Sequence, residues 1–231
     1  MDGAIETAEL VPPLGGSPLA LERVELGGGA TWRPSHPDDD VLLWVVDGEG
    51  TLALDGGSLA LGHSTAALVL AGEEAAVEAS GSLRLLRITV GPGADRHAPL
   101  GPRETTASLD DAGAEAATGA RSYQLLFGPH NGSTRATLFA GYIPPGKAPW
   151  HYHLYDEIVW VPEGPGRLHL GEAVQDLAAG AAFRLRPRQV HIVENASPDR
   201  ELTILGVFTP AGSPSAAYLS PEVAAAYAFA G

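Results

Sequence analysis

Two histidines stand one residue apart in GKAPWHYHLYDEIVWVPEG (Gly146–Gly164), at His151 and His153, and Glu157 follows four residues after the second. On a strand, residues i and i+2 share a face. Both imidazoles therefore aim at one point, and Tyr152 between them turns away. After a turn over Leu154–Asp156, Glu157 can open the next strand and point back at the same spot. Two imidazoles and a carboxylate make a facial donor set for Fe(II), Mn(II), Ni(II), Co(II) or Zn(II). The stretch RPRQVHIVEN adds His191 as a candidate fourth ligand. Four protein ligands on an octahedral ion leave two adjacent positions, room for a substrate oxygen beside O2 or water. The bland alternative for an isolated HxH is a pair of partly exposed strand histidines.

Neighbouring residues extend the candidate site. Val159 and Val161 share the face of Glu157 and would line an apolar cavity, joined by Phe183 and Leu185 from a later strand. Asn195 shares a face with His191 and would contact substrate or a turn. His169 faces either the pocket or the outside, where a hydrogen-bonded strand histidine is the plainer role. Arg186, with Lys147 and Arg188, is a rare positive charge near the ligand strands and could hold an anionic substrate; solvated loop charges are the competing reading. Tyr152 and Trp160 face away, as core or interface packing. Glu157 as a ligand is poorly placed to be a general base as well, and spacing puts no other acid or base in the pocket, so no catalytic residue is assigned.

The elements that must position these residues are strands. Apolar runs recur at close spacing between Gly, Pro, Asp and Asn: Val41–Val46, Thr51–Leu54, Ala66–Leu70, Leu83–Val90, Thr134–Ile143, Glu157–Val161, Arg167–Leu170, Ala182–Leu185, Val190–Val193 and Leu202–Phe208. RLHL and ELTILGVF alternate strictly, the pattern of all-β sandwiches or barrels. The 29 glycines and 19 prolines among 231 residues suit many tight turns. Two helices are expected: a short one in SLDDAGAEAAT (Ser108–Thr118), and a C-terminal one in SPEVAAAYAFA (Ser220–Ala230), where Ser220 is an N-cap and Pro221 the first helical residue.

The chain repeats itself. VVDGEGTLAL (Val45–Leu54) matches VPEGPGRLHL (Val161–Leu170) at an offset of 116 residues. The simplest organisation is an N-terminal barrel over 1–92, a linker with a short helix over 93–122, and a C-terminal barrel with the terminal helix over 123–231. The same offset carries His151 onto Ser35, His153 onto Pro37 and Glu157 onto Val41, and counting on from Gly62 puts Glu73 where His191 sits. The first half has lost its ligands. His36 and His63 lie nearby but out of register.

The motifs resemble those of the cupin superfamily. Its first motif, G-x5-H-x-H-x3,4-E-x6-G, is met by Gly146, His151, His153, Glu157 and Gly164, with one residue fewer between Gly146 and His151. Its second, G-x5-P-x-G-x2-H-x3-N, is met by Gly180, Pro187, His191 and Asn195; Pro187 falls one place late, and the inner glycine is missing, with Arg188 and Gln189 in that region. The resemblance implies an all-β chain of two tandem jelly-roll barrels with a few short helices, a bicupin. It assigns His151, His153, Glu157 and His191 as ligands of one divalent transition metal (Fe, Mn, Ni or Zn) in the C-terminal barrel. It is specific to the superfamily and not to one activity.

Composition narrows the function classes. The formal charge of −14 repels phosphate backbones and anionic lipid, so nucleic-acid and membrane binding are not expected. With no cysteine, any metal must be held by His, Asp or Glu. The N-terminal stretch lacks the pattern of a signal peptide, and no apolar run reaches spanning length, so the default address is the cytoplasm of a bacterium-like cell. There is no Gly-rich phosphate loop and no nucleophile motif. The expected partner is a small organic molecule, with a homodimer compatible with the fold. The leading expectation is a dioxygenase-type oxidoreductase. The alternatives are a metal-dependent isomerase, lyase or aminohydrolase, resembling the ureidoglycine aminohydrolases, and a non-catalytic binding or storage protein resembling the seed bicupins.

Overall fold

The computed structural model describes residues 3–117 and 120–219. It is built of antiparallel strands with a single 3-10 turn, Pro129–Asn131. Among the described residues no helix is long and apolar enough to cross a membrane.

The first half is one eight-stranded sheet curled on itself, ordered Ile5–Val11, Leu19–Leu26, Ala75–Val90, Asp40–Leu54, Thr65–Val69, Thr106–Ser108, with Thr31–Trp32 and Gly57–Leu61 paired at its flanks. The two longest strands, Asp40–Leu54 and Ala75–Val90, pair antiparallel with register slips between Val45 and Asp47 and between Gly48 and Gly50. Those slips bend the ribbon. Gly48 sits at the bend with φ of 88°, and a Cβ there would lie 2.0 Å from the Ser82 carbonyl oxygen, so no other residue fits.

The second half contains a six-stranded sheet ordered Ala182–Leu185, Asp156–Trp160, Leu202–Thr209, Thr137–Ile143, Ser122–Phe127, Ala114–Ala116, and a four-stranded sheet ordered Gly146–Lys147, Ile192–Asn195, Gly166–Leu170, Ala173–Leu177. A short pair, His151–Tyr152 with Tyr218–Leu219, completes it.

Alternation explains how the two halves meet. Val41, Leu43 and Val45 enter the apolar interior of the first half, while Leu42 and Trp44 face the other way. In the second half, Val159 and Val161 enter the interior, and Ile158 and Trp160 face out. The outward residues Leu42, Trp44, Ile158, Trp160, Leu205 and Val207 belong to one shared core between the halves. Polar groups pin its edges. Arg184 Nη1 donates to Asp156 Oδ2 at 2.7 Å, and its Nη2 donates to the carbonyls of Leu19 (2.7 Å) and Pro12 (3.0 Å) across the junction. The Ser17 hydroxyl also donates to Asp156. On the other side Arg135 Nη1 donates to the Asp38 carbonyl at 2.8 Å and lies 3.4 Å from Asp40 Oδ1. Asp40 and Asp156 are equivalent at the 116-residue offset.

The helix expected over 108–118 is not formed. Thr106–Ser108 instead adds to the edge of Thr65–Val69, and Ala114–Ala116 adds to Ser122–Phe127. Alanine-rich composition favours a helix, but an edge strand satisfies the same backbone groups and closes two sheets. The helix expected over 220–230 lies outside the described residues. The strand Leu19–Leu26, unpredicted from the sequence, is fully paired to Ala75–Val90.

Candidate metal centre

His151 and His191 are brought together by the backbone. Each donates its N–H to the other's carbonyl, at 3.2 and 2.9 Å, as an antiparallel bridge, which puts both side chains on one face. His153 joins from the same face as His151. The ring centroids lie 4.4 Å (His151–His191), 5.1 Å (His151–His153) and 5.1 Å (His153–His191) apart. One ligand nitrogen from each of the three falls within 4.8 Å of the others.

Hydrogen bonds orient the rings. His151 Nδ1 is 2.9 Å from the Pro149 carbonyl and His191 Nδ1 is 2.8 Å from that of Gln189. A carbonyl only accepts, so Nδ1 carries the proton in both and Nε2 keeps a free lone pair. His153 Nδ1 faces the Ala216 carbonyl at 3.5 Å, and the ring stacks on Tyr155 at 4.5 Å, which in turn stacks on Phe208 at 3.9 Å.

Glu157 lies at the side of this triangle, buried, with Oε2 3.7 Å from His153 Nε2. Space for it is made by Gly206: a Cβ there would lie 2.4 Å from the Phe139 ring and 3.1 Å from Glu157 Oε1.

Burial decides the charge states. Desolvation lowers the pKa of His151 and of His153 to about 3 and that of His191 to about 4, so all three are neutral near pH 7. Desolvation also raises Glu157 to about 8, and the nearby Arg121 charge acts against it. The lone pair of His153 Nε2 and the Glu157 carboxyl face each other 3.7 Å apart, and a cation bound between them would hold the carboxyl ionised and meet both groups. The donor set thus fits a divalent transition metal, with the Nδ1 protons of His151 and His191 given to backbone carbonyls as metal-bound histidines give theirs.

The cluster opens into a cavity of about 70 Å³. Its walls include Phe139, Ile143, Val159, Leu185, Val193 and Ile204, and its polar lining includes Arg121, Tyr142 and Tyr155.

Of the residues proposed from the sequence, His151, His153, His191, Glu157, Val159 and Leu185 converge here. The others do not line this cavity. Val161 and Phe183 are buried in the neighbouring apolar core. Asn195 donates Nδ2 to the carbonyls of Ile143 (2.8 Å) and Arg200 (2.7 Å) and accepts from the Ser197 N–H (2.9 Å); it ties a turn. His169 lies opposite Leu168 on its strand, bonds Glu194 at 2.5 Å and meets Trp150 edge-on. Arg186 is exposed in the turn before His191, its N–H donating to Gln189 Oε1 at 3.0 Å. In that turn Arg188 holds φ of 64°, in the left-handed region. Its N–H donates to the His153 carbonyl at 2.6 Å.

Sequence reasoning missed Arg121, Tyr155, Phe139 and Tyr142 as cavity residues. Only Tyr155 carried a local signal, being two residues beyond His153 on the same face.

Residues 140–208 match the cupin domain model. The second half of the chain therefore carries a cupin domain. The cupin fold extends over both halves: a cupin 2 conserved barrel domain protein from Leptotrichia buccalis superposes with a TM-score of 0.65 at 13% identity, over 90% of each chain. The oxalate decarboxylase of Lactobacillus farciminis, solved as a formate complex, gives 0.73 at 14% identity over 97% of this cupin and 88% of that chain. Vicilin from hazelnut, Corylus avellana, gives 0.63 at 15% identity over 85% and 76%. These likenesses concern the fold. No curated protein has a matching sequence.

Proposed function

We propose that this cupin is a metal-dependent enzyme acting on a small organic molecule, with one divalent transition metal held by His151, His153, His191 and Glu157. The observation that carries it is the buried triangle of three neutral imidazoles whose Nδ1 protons are directed to backbone carbonyls. A bound ion would supply Lewis acidity and a meeting place for a substrate oxygen and O2 or water. The rest belongs to the chain. The bridge between His151 and His191 fixes the spacing of two ligands, and the Tyr155–Phe208 stack holds the plane of His153. Phe139, Val159, Val193 and Ile204 exclude bulk water and limit the substrate to a small one. Within this class a dioxygenase-type oxidation is the leading reading, because an ion held by four protein ligands would have room for both a substrate oxygen and O2.

The test is metal analysis of protein purified without chelators. About one equivalent is expected, lost in His153→Ala with an unchanged far-ultraviolet circular dichroism spectrum, and retained in His36→Ala. Iron, with substrate-dependent O2 uptake, supports the dioxygenase reading. Zinc, manganese or nickel with no O2 uptake replaces it by an isomerase, lyase or aminohydrolase. No metal, even after reconstitution, overturns the proposal and leaves a binding or storage role.

A further inference from the structure

Resting on the metal reading for what passes through it, we propose that the strap Ser213–Leu219 is a hinged gate, a wall of the cavity that swings out to admit and release small species. Pro214, Ser215 and Ala217 line the cavity together with His151 and His153. Other walls are core strands. Phe139 and Ile143 belong to Thr137–Ile143, which pairs with Leu202–Thr209 over seven residues, and both side chains are buried. The strap is built differently. Ser213, Ser215, Ala216 and Tyr218 are exposed, and Pro214 and Ala217 are half-buried. Its ladder is two residues long, His151 with Leu219 and Tyr152 with Tyr218.

Its bonds are strong at the root and inside the turn, and weak across the cavity. At the root, the buried Thr137 hydroxyl donates to the Gly212 carbonyl at 2.9 Å and accepts the Gly212 N–H at 3.0 Å. Inside the turn, Ala216 N–H donates to the Ser213 carbonyl at 3.1 Å and Ala217 N–H to the Ser215 carbonyl at 2.8 Å. Across the cavity, the Tyr155 hydroxyl reaches the Pro214 carbonyl at 3.4 Å, and the Ala216 carbonyl lies 3.5 Å from His153 Nδ1. At the far end Tyr218 stacks on Tyr152, ring centroids 5.5 Å apart and 17° from parallel.

Such a segment moves as a unit. A swing about Gly212 breaks two long contacts, one aromatic stack and a two-residue ladder, and it takes no buried side chain of Ser213–Tyr218 into water. Elements held this way open at a free energy far below that of global unfolding. A core strand cannot follow without exposing the interior. The motion also reaches the site. Opening removes the carbonyl beside His153, while His151 and His191 stay fixed by their backbone bridge.

The experiment locks the latch. The chain has no cysteine, and positions 152 and 218 are directly opposite in an antiparallel pair, within the span of a disulfide. The double variant Tyr152→Cys with Tyr218→Cys is loaded with Co(II), and transfer of the ion to a chromophoric chelator is timed before and after reduction by a phosphine. Uptake and release in the oxidised form are expected to be slower by about 10-fold or more, with Kd nearly constant and full recovery on reduction. Tyr218→Ala should speed release about 3- to 10-fold, the worth of one aromatic pair, at an unchanged urea midpoint. Equal rates in the oxidised and reduced forms overturn the gate, as does a change in Kd with unchanged rates. Hydrogen exchange of the metal-free wild type is the independent arm. The amides of 213–219 are expected to exchange at least about 100-fold faster than those of Asp156–Trp160. Equal protection of the two segments overturns the gate whether or not an ion binds. Failure of the wild type to take up any divalent transition ion overturns the metal reading alone, and the exchange rates then decide the gate.

Discussion

The two barrels of this chain are built on one plan and filled with different matter. In the first, the inward residues of Asp40–Leu54 are Val41, Leu43 and Val45, and the interior contains Leu, Val and Ala. In the second, the equivalent strand points Glu157, Val159 and Val161 inward, and the interior keeps a polar cavity beside its apolar cluster. The positions equivalent to ligands are put to structural use in the first barrel. Ser35 Oγ accepts the Ala75 N–H at 2.7 Å, and Glu73 accepts the Leu70 N–H at 2.7 Å and pairs with Arg103. His36 stays near the surface, its Nδ1 accepting the Asp39 N–H at 3.1 Å. A cupin interior therefore has two stable solutions: fill it with methyl groups, or line it with imidazoles and give their protons carbonyl partners.

The sharpest way to break this contrast is to move one charge. Val41→Glu puts a carboxylate into the dry barrel with no histidine or arginine facing it, and should cost at least about 3–5 kcal/mol of unfolding free energy, read by urea denaturation. The same residue type at Glu157 is tolerated because Arg121 and the histidines surround it. Next in size is the junction between barrels. Asp156→Ala leaves Arg184 buried without its carboxylate, and about 3 kcal/mol should be lost, with both halves unfolding in one transition at lower urea. Gly206→Ala tests the cradle of the polar barrel: its Cβ collides with Phe139 and crowds Glu157. A loss of about 1–3 kcal/mol is expected, together with weaker metal binding measured by competition with a chromophoric chelator. The smallest effect has the opposite sign. Arg188→Gly removes a side chain from a left-handed residue and should stabilise the protein by about 1 kcal/mol, leaving metal content unchanged.

Much of the candidate metal centre was legible because its geometry is local. The i, i+2 spacing of His151 and His153 and the following Glu157 are set by strand alternation, and His191 sits directly opposite His151 in the sheet. The cavity wall was not legible, since Arg121, Phe139, Tyr142 and Ile204 come from strands far apart in the chain. For Asn195 and His169 alternation left two readings open, and the structure takes the structural one in both. Each lies on a ligand-bearing or neighbouring strand, but one satisfies turn carbonyls and the other points outward to Glu194. Parity alone cannot say which polar side chain has a nearer partner than the ligand. The helix expected over 108–118 failed similarly: two open sheet edges competed for its backbone, and no property of the segment itself announced them.

The shared core between the barrels has an evolutionary consequence. A chain made by internal duplication can carry different side chains at equivalent positions, as Ser35, Pro37 and Val41 stand for His151, His153 and Glu157. It cannot discard that copy. Leu42, Trp44, Leu86 and Ile88 shield Ile158, Trp160, Leu205 and Val207 from water, and the carbonyls of Pro12 and Leu19 hold Arg184. Selection can exchange one apolar side chain for another inside the first barrel and is bound to preserve the face it turns to the second, so in descendants of this chain that face should change least.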